Sequence, residues 1–345
     1  MKILLTGTAG FIGYHLAKQL MERGDEVVGL DIINDYYDVR LKYARLKETG
    51  IETDKIHYNK IIHSQKYPNY RFIQLDLADN KNLFHLFEKE KFDKVCHLAA
   101  QPGVRYSLIN PGAYIQANII GHHNLLEALR HYGQPPFVYA SSSSVYGINK
   151  KQPFSINDRV DYPVSLYAAT KKADELFSHT YSYLFKIPTV GLRFFTVYGP
   201  WGRPDMALFK FVKNIFEGKP IDVYNNGQME RDFTYIDDII EGVIKTIDGV
   251  EKVAVPGNNP ETPAPYKIYN IGRGKPVPLM DFIRTIERLT GKKALINYLP
   301  MQPGDVPSTY ADTSELEKDF NYRPKTDLAE GIAAFIEWYK KFYKV

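Results

Sequence analysis

A short apolar run, Lys2 to Thr6, is followed at once by three glycines in the spacing Gly7-x-x-Gly10-x-x-Gly13, and apolar residues then return at helical intervals (Phe11, Ile12, Leu16, Leu20). Strand, glycine turn and helix in that order leave few architectures open. Gly7 permits a tight turn, Gly10 lets a pyrophosphate approach the backbone, and Gly13 lets helix and strand pack closely. Amides at the helix start, those of Phe11 and Ile12 included, then meet the phosphates with a favourable dipole behind them. The next strand, Glu26 to Asp31, ends in an acid 18 residues after Gly13, where a ribose hydroxyl would need one. A carboxylate there accepts hydrogen bonds from a free 2′-hydroxyl and repels a 2′-phosphate, so the cofactor expected is NAD rather than NADP.

Four further buried-strand patterns, Tyr70 to Leu75, Lys94 to Ala99, Phe137 to Ser142 and Thr189 to Phe195, alternate with helical stretches around Asn82 to Glu90, Pro111 to Tyr132 and Ser165 to Phe185. That rhythm predicts an α/β protein, a Rossmann-type doubly wound parallel sheet with helices on both faces. Asp76 follows the third strand with Leu77, placed to meet an adenine edge or to cap a helix. His97-Leu98-Ala99-Ala100 follows the fourth with small residues that let backbone lie against a cofactor. Residues 35–70 form a polar, Tyr- and Lys-rich insertion, read as a helix and a surface excursion of open role. Beyond Pro200 the rhythm weakens, although Met206 to Glu217, Pro278 to Leu289 and Leu328 to Phe342 still read as helices. The expectation is a NAD-binding domain over 1–199 and a smaller α/β substrate domain over 200–345, with some exchange of segments.

Other classes are disfavoured by composition. The net charge of the 345 residues is only +4 and the basic residues are scattered, which leaves no footprint for nucleic acid. A single cysteine, Cys96, forms no internal disulfide and fits a reducing compartment. The nine histidines show no ligand spacing, so no metal is expected. The opening apolar stretch stops at Thr6, far short of a signal core or a membrane span, and the reading is a cytoplasmic protein without a membrane partner.

Tyr167-Ala168-Ala169-Thr170-Lys171 puts a phenol and an ammonium four residues apart, on one helical face. A free phenol ionises near pH ~10, so a phenol that acts as a base at neutral pH needs its anion stabilised, and a neighbouring cation does that. One strand and loop earlier, Ser141 to Ser144 offer hydroxyls that can share the proton and fix a substrate oxygen.

Together, Thr6 to Gly13, Asp31, His97 to Ala100, Ser141 to Gly147 and Tyr167 to Lys171 resemble the extended short-chain dehydrogenase/reductases, the nucleotide-sugar epimerase and dehydratase group. The resemblance covers nearly the whole chain. It implies that Tyr167 is the base, that Lys171 holds both the tyrosine and the nicotinamide ribose, that Ser142 assists, and that Ser143 and Ser144 line the sugar. The runs Pro102 to Ser107, Tyr139 to Gly147, Val164 to Tyr167, Leu192 to Met206 and Arg231 to Tyr235 are similar to UDP-glucuronate 4-epimerases. That similarity implies interconversion of UDP-glucuronate and UDP-galacturonate through a transient 4-keto sugar, in a pathway such as surface polysaccharide synthesis. It also implies carboxylate contact at Thr196, with Arg203 and Arg105 as nearby cations, Arg231 as a diphosphate clamp whose fork matches phosphate oxygens, and Asp305 of Pro303-Gly304-Asp305 at the uridine ribose. A homodimer is implied as well, joined by the helices near Pro111 to Tyr132 and Ser165 to Phe185.

One departure is visible. Galactose-type epimerases often carry arginine where this chain has Gln302. The segment before Val145 holds only serines, whereas dehydratases need an acidic pair there to expel a 6-hydroxyl and the related decarboxylases a glutamate, so elimination chemistry is disfavoured. The competing expectations are a UDP-glucose or UDP-N-acetylglucosamine 4-epimerase with the same mechanism and, from another class, a non-catalytic NAD-binding scaffold.

Overall fold

The computed structural model describes residues 1–257, 262–302 and 304–345; Pro303 of the Pro-Gly-Asp motif lies outside them. In chain order the strands are β1 (Lys2–Thr6), β2 (Glu26–Asp31), β3 (Ile61–His63), β4 (Tyr70–Gln74), β5 (Lys94–His97), β6 (Phe137–Ser142), β7 (Thr189–Phe194), β8 (Thr196–Tyr198), β9 (Pro220–Tyr224), β10 (Glu230–Tyr235), β11 (Tyr266–Ile271), β12 (Pro276–Pro278) and β13 (Leu295–Leu299). The helices are α1 (Phe11–Glu22), α2 (Val39–Glu48), α3 (Asn80–Glu90), α4 (Tyr106–Ile109), α5 (Pro111–Tyr114), α6 (Gly121–His131), α7 (Leu166–Phe185), α8 (Ala207–Glu217), α9 (Ile236–Val253), α10 (Leu279–Thr290), α11 (Ser314–Phe320) and α12 (Leu328–Tyr343).

Eight strands form one sheet in the order β11-β7-β6-β5-β1-β2-β4-β3. All neighbours run parallel except the edge pair β3 and β4. Both faces carry apolar layers, one built on Leu16, Leu20, Ile239 and Val243, the other on Leu83, Phe87, Leu125 and Leu129. This is the doubly wound α/β sheet that the alternation predicts. Chain order reverses between β1 and β5, and in such sheets a ligand crevice opens at the carboxyl ends of the two strands flanking the reversal. The glycine turn and the Leu98 to Ala100 segment sit at those ends.

Strand β11 is the outermost parallel strand although it comes from late in the chain, and α9 packs against α1. Late segments therefore complete the large sheet, while a separate apolar cluster of α8, α10, α12 and the short sheets carries the remaining C-terminal elements.

The structure departs from the sequence reading in three places. The insertion contributes a strand, β3, that pairs antiparallel with β4. The stretch read as one helix from Pro111 is α5, a π-helical turn at Ile115–Ile120, and then α6. The bulge has a cause: Asn118 is pulled inward, its Oδ1 accepting from Gln101 N at 2.7 Å and its Nδ2 donating to Thr170 Oγ1 at 3.0 Å. Finally, the Thr189 run stops at Phe194, and Thr196 begins a strand of another sheet beside β10.

Candidate functional site

A cavity of about 420 Å³ opens at the reversal point, and its wall runs from the glycine turn past Asp31 and Ala99 to Tyr167 and Lys171. The glycines are there for steric reasons. Gly7 has φ of +81°, and a Cβ on it would come within 2.9 Å of Ala99 N, so the two loops can meet only without a side chain. A Cβ on Gly13 would overlap the Gly7 carbonyl oxygen. Helix α1 starts after Gly10 with no side-chain cap and no acid in its first turn, which leaves its first amides free to meet an anion.

Asp31 is buried at the end of β2. Its Oδ2 accepts from Ala9 N at 3.0 Å and its Oδ1 from Ile33 N at 2.8 Å. The carboxylate thereby fixes the glycine turn and the following loop, where Ile33 is held at φ of +56°, a conformation a β-branched residue rarely adopts. Each oxygen keeps a lone pair for a hydroxyl donor. Phe11, Ile12, Asp76, Leu77, Leu98 and Ala100 all line the same wall. Asp76 also accepts from Ala78 N at 2.9 Å, so the turn and the cavity share it.

The insertion, whose role the sequence left open, walls this cavity through Tyr36, Tyr37 and Lys42. It is pinned by Arg45, which is fully buried and donates to Ala9 O at 2.8 Å, to Tyr37 Oη at 2.7 Å and to Trp201 O at 2.6 Å. One guanidinium thus ties the glycine turn, the insertion and the Gly199 loop together. Nothing in periodicity marks Arg45. Its only signal is an arginine in the stripe of α2 that also carries Leu41, and an arginine at such a position reads as surface.

At the other end of the cavity, α7 begins at Leu166 with Ser165 as its cap, the hydroxyl accepting from Ala168 N at 3.1 Å. Tyr167 therefore stands in the first turn, half-buried, edge-on to Tyr114 with ring centroids 6.1 Å apart. Lys171 is one turn deeper and its side chain is 3% exposed. Its ammonium donates to Asp174 Oδ2 at 2.9 Å, a partner the sequence reading did not contain. Ser142 lines the cavity at the end of β6, and its oxygen accepts from Ser144 N at 3.2 Å and from Ser144 Oγ at 2.9 Å. With its oxygen so engaged, the Ser142 proton is free to point into the cavity. Ser143 and Ser144 lie on the following 3-10 turn and line no part of that wall.

Polar residues expected around the sugar are held in ion pairs. Arg105 donates to Asp305 at 2.9 Å and lies over the Tyr224 ring at 4.2 Å, and Arg231 approaches the other Asp305 oxygen at 3.8 Å. Burial pulls the Arg231 guanidinium below its ordinary value, with Asp305 opposing. Arg203 reaches the cavity wall but is clamped on both oxygens of Asp205, at 2.9 and 2.5 Å. Tyr36 Oη donates to the same carboxylate at 3.2 Å. Thr196 lines a smaller adjoining cavity with Arg203 and Met206. Gln302 accepts from Asp305 N through its backbone at 3.2 Å. Among the described residues no three His, Cys, Asp or Glu side chains cluster as a metal would require.

The chain is 51% identical to the protein CapI of Staphylococcus aureus, over the full length of both. It is 45% identical to a probable UDP-glucuronate 4-epimerase of Rhizobium meliloti, covering all of this chain and 98% of that one. Among solved structures, it matches a UDP-glucuronic acid 4-epimerase from Bacillus cereus in complex with UDP-glucuronic acid and NAD, with a TM-score of 0.86 and 34% identity over 99% of this chain and 100% of the other. A model of the NAD dependent epimerase/dehydratase family matches residues 3–272, and the chain, with its glycine turn, Asp31 and the Tyr167–Lys171 helix, belongs to that family.

Proposed function

We propose that this protein is a UDP-glucuronate 4-epimerase that interconverts UDP-glucuronate and UDP-galacturonate with NAD as its resident cofactor. The observation that carries the reading is the single cavity that joins a dinucleotide turn, an acid at the ribose position and the Tyr167, Lys171 and Ser142 set. A relative of 45% identity covered over 98% of its length, named a probable UDP-glucuronate 4-epimerase, supports the substrate.

The residues present fit NAD. The uncapped start of α1, with Gly7, Gly10 and Gly13, would hold the pyrophosphate; Asp31 would hold the adenosine ribose; Asp76 and Leu77 would border the adenine; Leu98, Ala99 and Ala100 would flank the cofactor; and Lys171 would hold the nicotinamide ribose. When bound, NAD supplies a site that takes a hydride from the sugar carbon and returns it. The protein's part is acid–base chemistry and orientation. Tyr167 accepts the 4-hydroxyl proton as the carbon is oxidised and gives it back on re-reduction. The Lys171 ammonium favours the phenolate, and the free Ser142 proton holds the sugar oxygen. Ser144 supports Ser142 from the adjoining turn, on which Ser143 also lies. Because the ketone must present its other face, the sugar has to turn while the nucleotide stays anchored, which is the task assigned to Arg231 and Asp305. Arg203 on the cavity wall and Thr196 on the adjoining cavity are assigned to the uronate carboxylate, with Arg105, which lines neither, as a further cation.

In this reading residues 1–199 carry the cofactor and 200–345 mainly the nucleotide-sugar. The protein is read as cytoplasmic on its single cysteine, which is buried and free. No described helix is long and apolar enough to cross a membrane. A homodimer is proposed on the exposed apolar residues of α7 and the π-helical segment, Leu176 at 56%, Leu184 at 58% and Ile115 at 43%. Light scattering that returns a monomer would remove that element alone.

The test is turnover of UDP-glucuronate, UDP-glucose and UDP-N-acetylglucosamine by the NAD-loaded protein, with products separated by chromatography. UDP-galacturonate is the expected product. Turnover confined to a neutral sugar overturns the substrate assignment. Tyr167→Phe should lower kcat by about 10²- to 10⁴-fold; a Tyr167→Phe protein of full activity would remove Tyr167 as the base, and a wild-type protein that turns over none of the three sugars would return the scaffold reading.

A further inference from the structure

Along α7, Tyr167, Lys171, Asp174, Ser178 and Ser182 recur every three or four residues and form one stripe. Only the first faces the cavity as a half-buried group; Asp174, Ser178 and Ser182 are fully buried. Helical side chains lean toward the N-terminus, so Asp174 leans toward Lys171, and its Oδ2 takes the ammonium at 2.9 Å. The other oxygen, Oδ1, has no hydrogen-bond partner among the described residues. The cation that serves Tyr167 is thus one half of a buried ion pair.

We propose that Asp174 is a positioning residue that fixes the Lys171 ammonium and offsets its charge, and so sets the pH range in which Tyr167 works as a base. This inference rests on the catalytic reading of Tyr167 and Lys171 given above. A lysine buried to this degree requires a counter-charge or loses its proton. Asp174 supplies that charge, and in doing so weakens the pull of the ammonium on the phenol.

The groups that face Asp174 leave it this role. On its own helix these are Lys171 and Glu175; Tyr139 comes from β6, and His122 of α6 meets the Asp174 backbone, while His123 of α6 faces His122 and His97 of β5 faces His122 and Lys171. Glu175 is occupied by Arg193 of β7, at 2.8 Å, and by Ser141. His97 and His122 are buried and held well below the ordinary histidine value by desolvation, so they stay neutral. His123 meets Tyr181 instead, at 3.2 Å. Tyr139 is held by Tyr266 of β11, at 2.7 Å. Among the described residues Lys171 is therefore the one cation that bonds to Asp174. Burial pushes the Asp174 carboxyl up to about 6, with Lys171 pulling it down.

Removal of one negative charge favours proton loss from every acid near it, phenol and ammonium alike. In Asp174→Asn both limbs of the kcat profile should move to lower pH, the acid limb by about one unit for a charge two helical turns from the phenol and the alkaline limb by more, because the ammonium is in direct contact with Asp174. Asp174→Glu, which keeps the charge, should restore the wild-type position. If Asp174→Asn does not fold, Asp174→Ser provides the same comparison. Limbs that stay in place in a folded variant, with only the level of activity or the melting temperature changed, overturn the proposal and leave Asp174 a packing residue.

A second readout needs no substrate. Phenolate absorbance of the NAD-loaded protein, less that of the matching Tyr167→Phe protein, should appear at lower pH in Asp174→Asn. That shift without turnover of UDP-glucuronate would sink the substrate assignment and keep the role of Asp174. Turnover without the shift would do the reverse.

Discussion

At the dinucleotide end of the cleft the wall is backbone and small side chains, and the groups that would meet a ligand already stand in place: uncapped amides of α1, the Asp31 carboxylate, and two loops so close that Gly7 tolerates no Cβ. At the sugar end Arg203 stands on the wall, paired with Asp205, and beyond the lining residues Arg105 and Arg231 are paired with Asp305. A ligand entering the first region meets a finished surface. One entering the second must exchange partners with what is already paired, at the cost of reordering flexible side chains. A cofactor that stays and a sugar that must come, turn and leave are suited by that division.

The largest expected effect comes from breaking the finished end. Gly13→Ala places a methyl group on the Gly7 carbonyl oxygen, a backbone atom that cannot swing aside. Overpacking of this kind costs roughly 1–3 kcal/mol in stability. Here it should also abolish NAD retention, read as nucleotide released on denaturing the purified protein. A Gly13→Ala protein that still carries NAD would show the turn to be as adaptable as the sugar end, and the contrast would fail.

Next is Arg231→Ala, which removes a half-buried fork from the ion-paired end. Loss of charged hydrogen bonds worth about 1.5–3 kcal/mol corresponds to a KM for the UDP-sugar about 10- to 100-fold higher. NAD content should not change, and kcat should stay within a few fold. A loss of NAD in this variant would mean that the two ends are not separable.

The same division governs what could be read from sequence. Strands β1, β2 and β6 end where the apolar runs end, and the glycine turn, Asp31 and Tyr167 fall where their spacing put them. Backbone-built sites follow from local rules: a missing Cβ, an uncapped helix, a strand-end acid. What escaped was long-range. Arg45 reaches Trp201, 156 residues away, and Arg105 reaches Asp305 across 200, so no window along the chain contains both partners. Asp174 is a different case. It lies three residues from Lys171, but a Lys-x-x-Asp pair on a helix is ordinarily a solvated surface pair. Only the packing of α7 against α6 and the sheet shows that it is buried. The π-helical turn was missed for a similar reason, since Asn118 reads as one polar residue in a helix until Gln101 and Thr170 are seen around it.

A third way to sharpen the contrast is acid titration of stability. His97 and His122, beneath the dinucleotide end, are buried and held well below the ordinary value of 6.5, and His15 and His179 are also lowered. Their folded forms refuse a proton that the unfolded chain accepts. Stability is therefore full above about pH 6.5 and falls as pH drops below it. Asp174, raised to about 6, and the raised Asp232 and Asp237 act in the opposite sense at lower pH and reduce the slope. Asp205 of the sugar end, with Glu175 and Glu90, is held below the ordinary carboxylate value, mainly by its cation against the opposing effect of burial. Those contributions are present above the ordinary carboxylate range and are lost only as pH falls through the lowered values. Melting temperatures should thus begin to fall below about pH 6.5, with a second, steeper loss in the carboxylate range. His122→Gln should flatten the first phase alone. A melting temperature unchanged down to pH 5 would mean that the buried histidines do not stay neutral.

The smallest effect is expected at Arg105. Its pair with Asp305 is short, 2.9 Å, but the arginine side chain is 42% exposed, and exposed pairs contribute about 0–1 kcal/mol because water and salt screen them. Arg105→Ala should raise the KM for the UDP-sugar no more than about 5-fold, and less at high salt. Its guanidinium also covers the Tyr224 ring at 4.2 Å, so Arg105→Lys, which keeps the charge and gives up the flat stacking surface, separates the two contributions. If lysine behaves as arginine does and the difference fades in salt, charge alone closes this lip of the cleft. If both variants lose binding 10-fold or more regardless of salt, the stack on Tyr224 is a fixed part of the wall, and the sugar end is more nearly preformed than its ion pairs suggest.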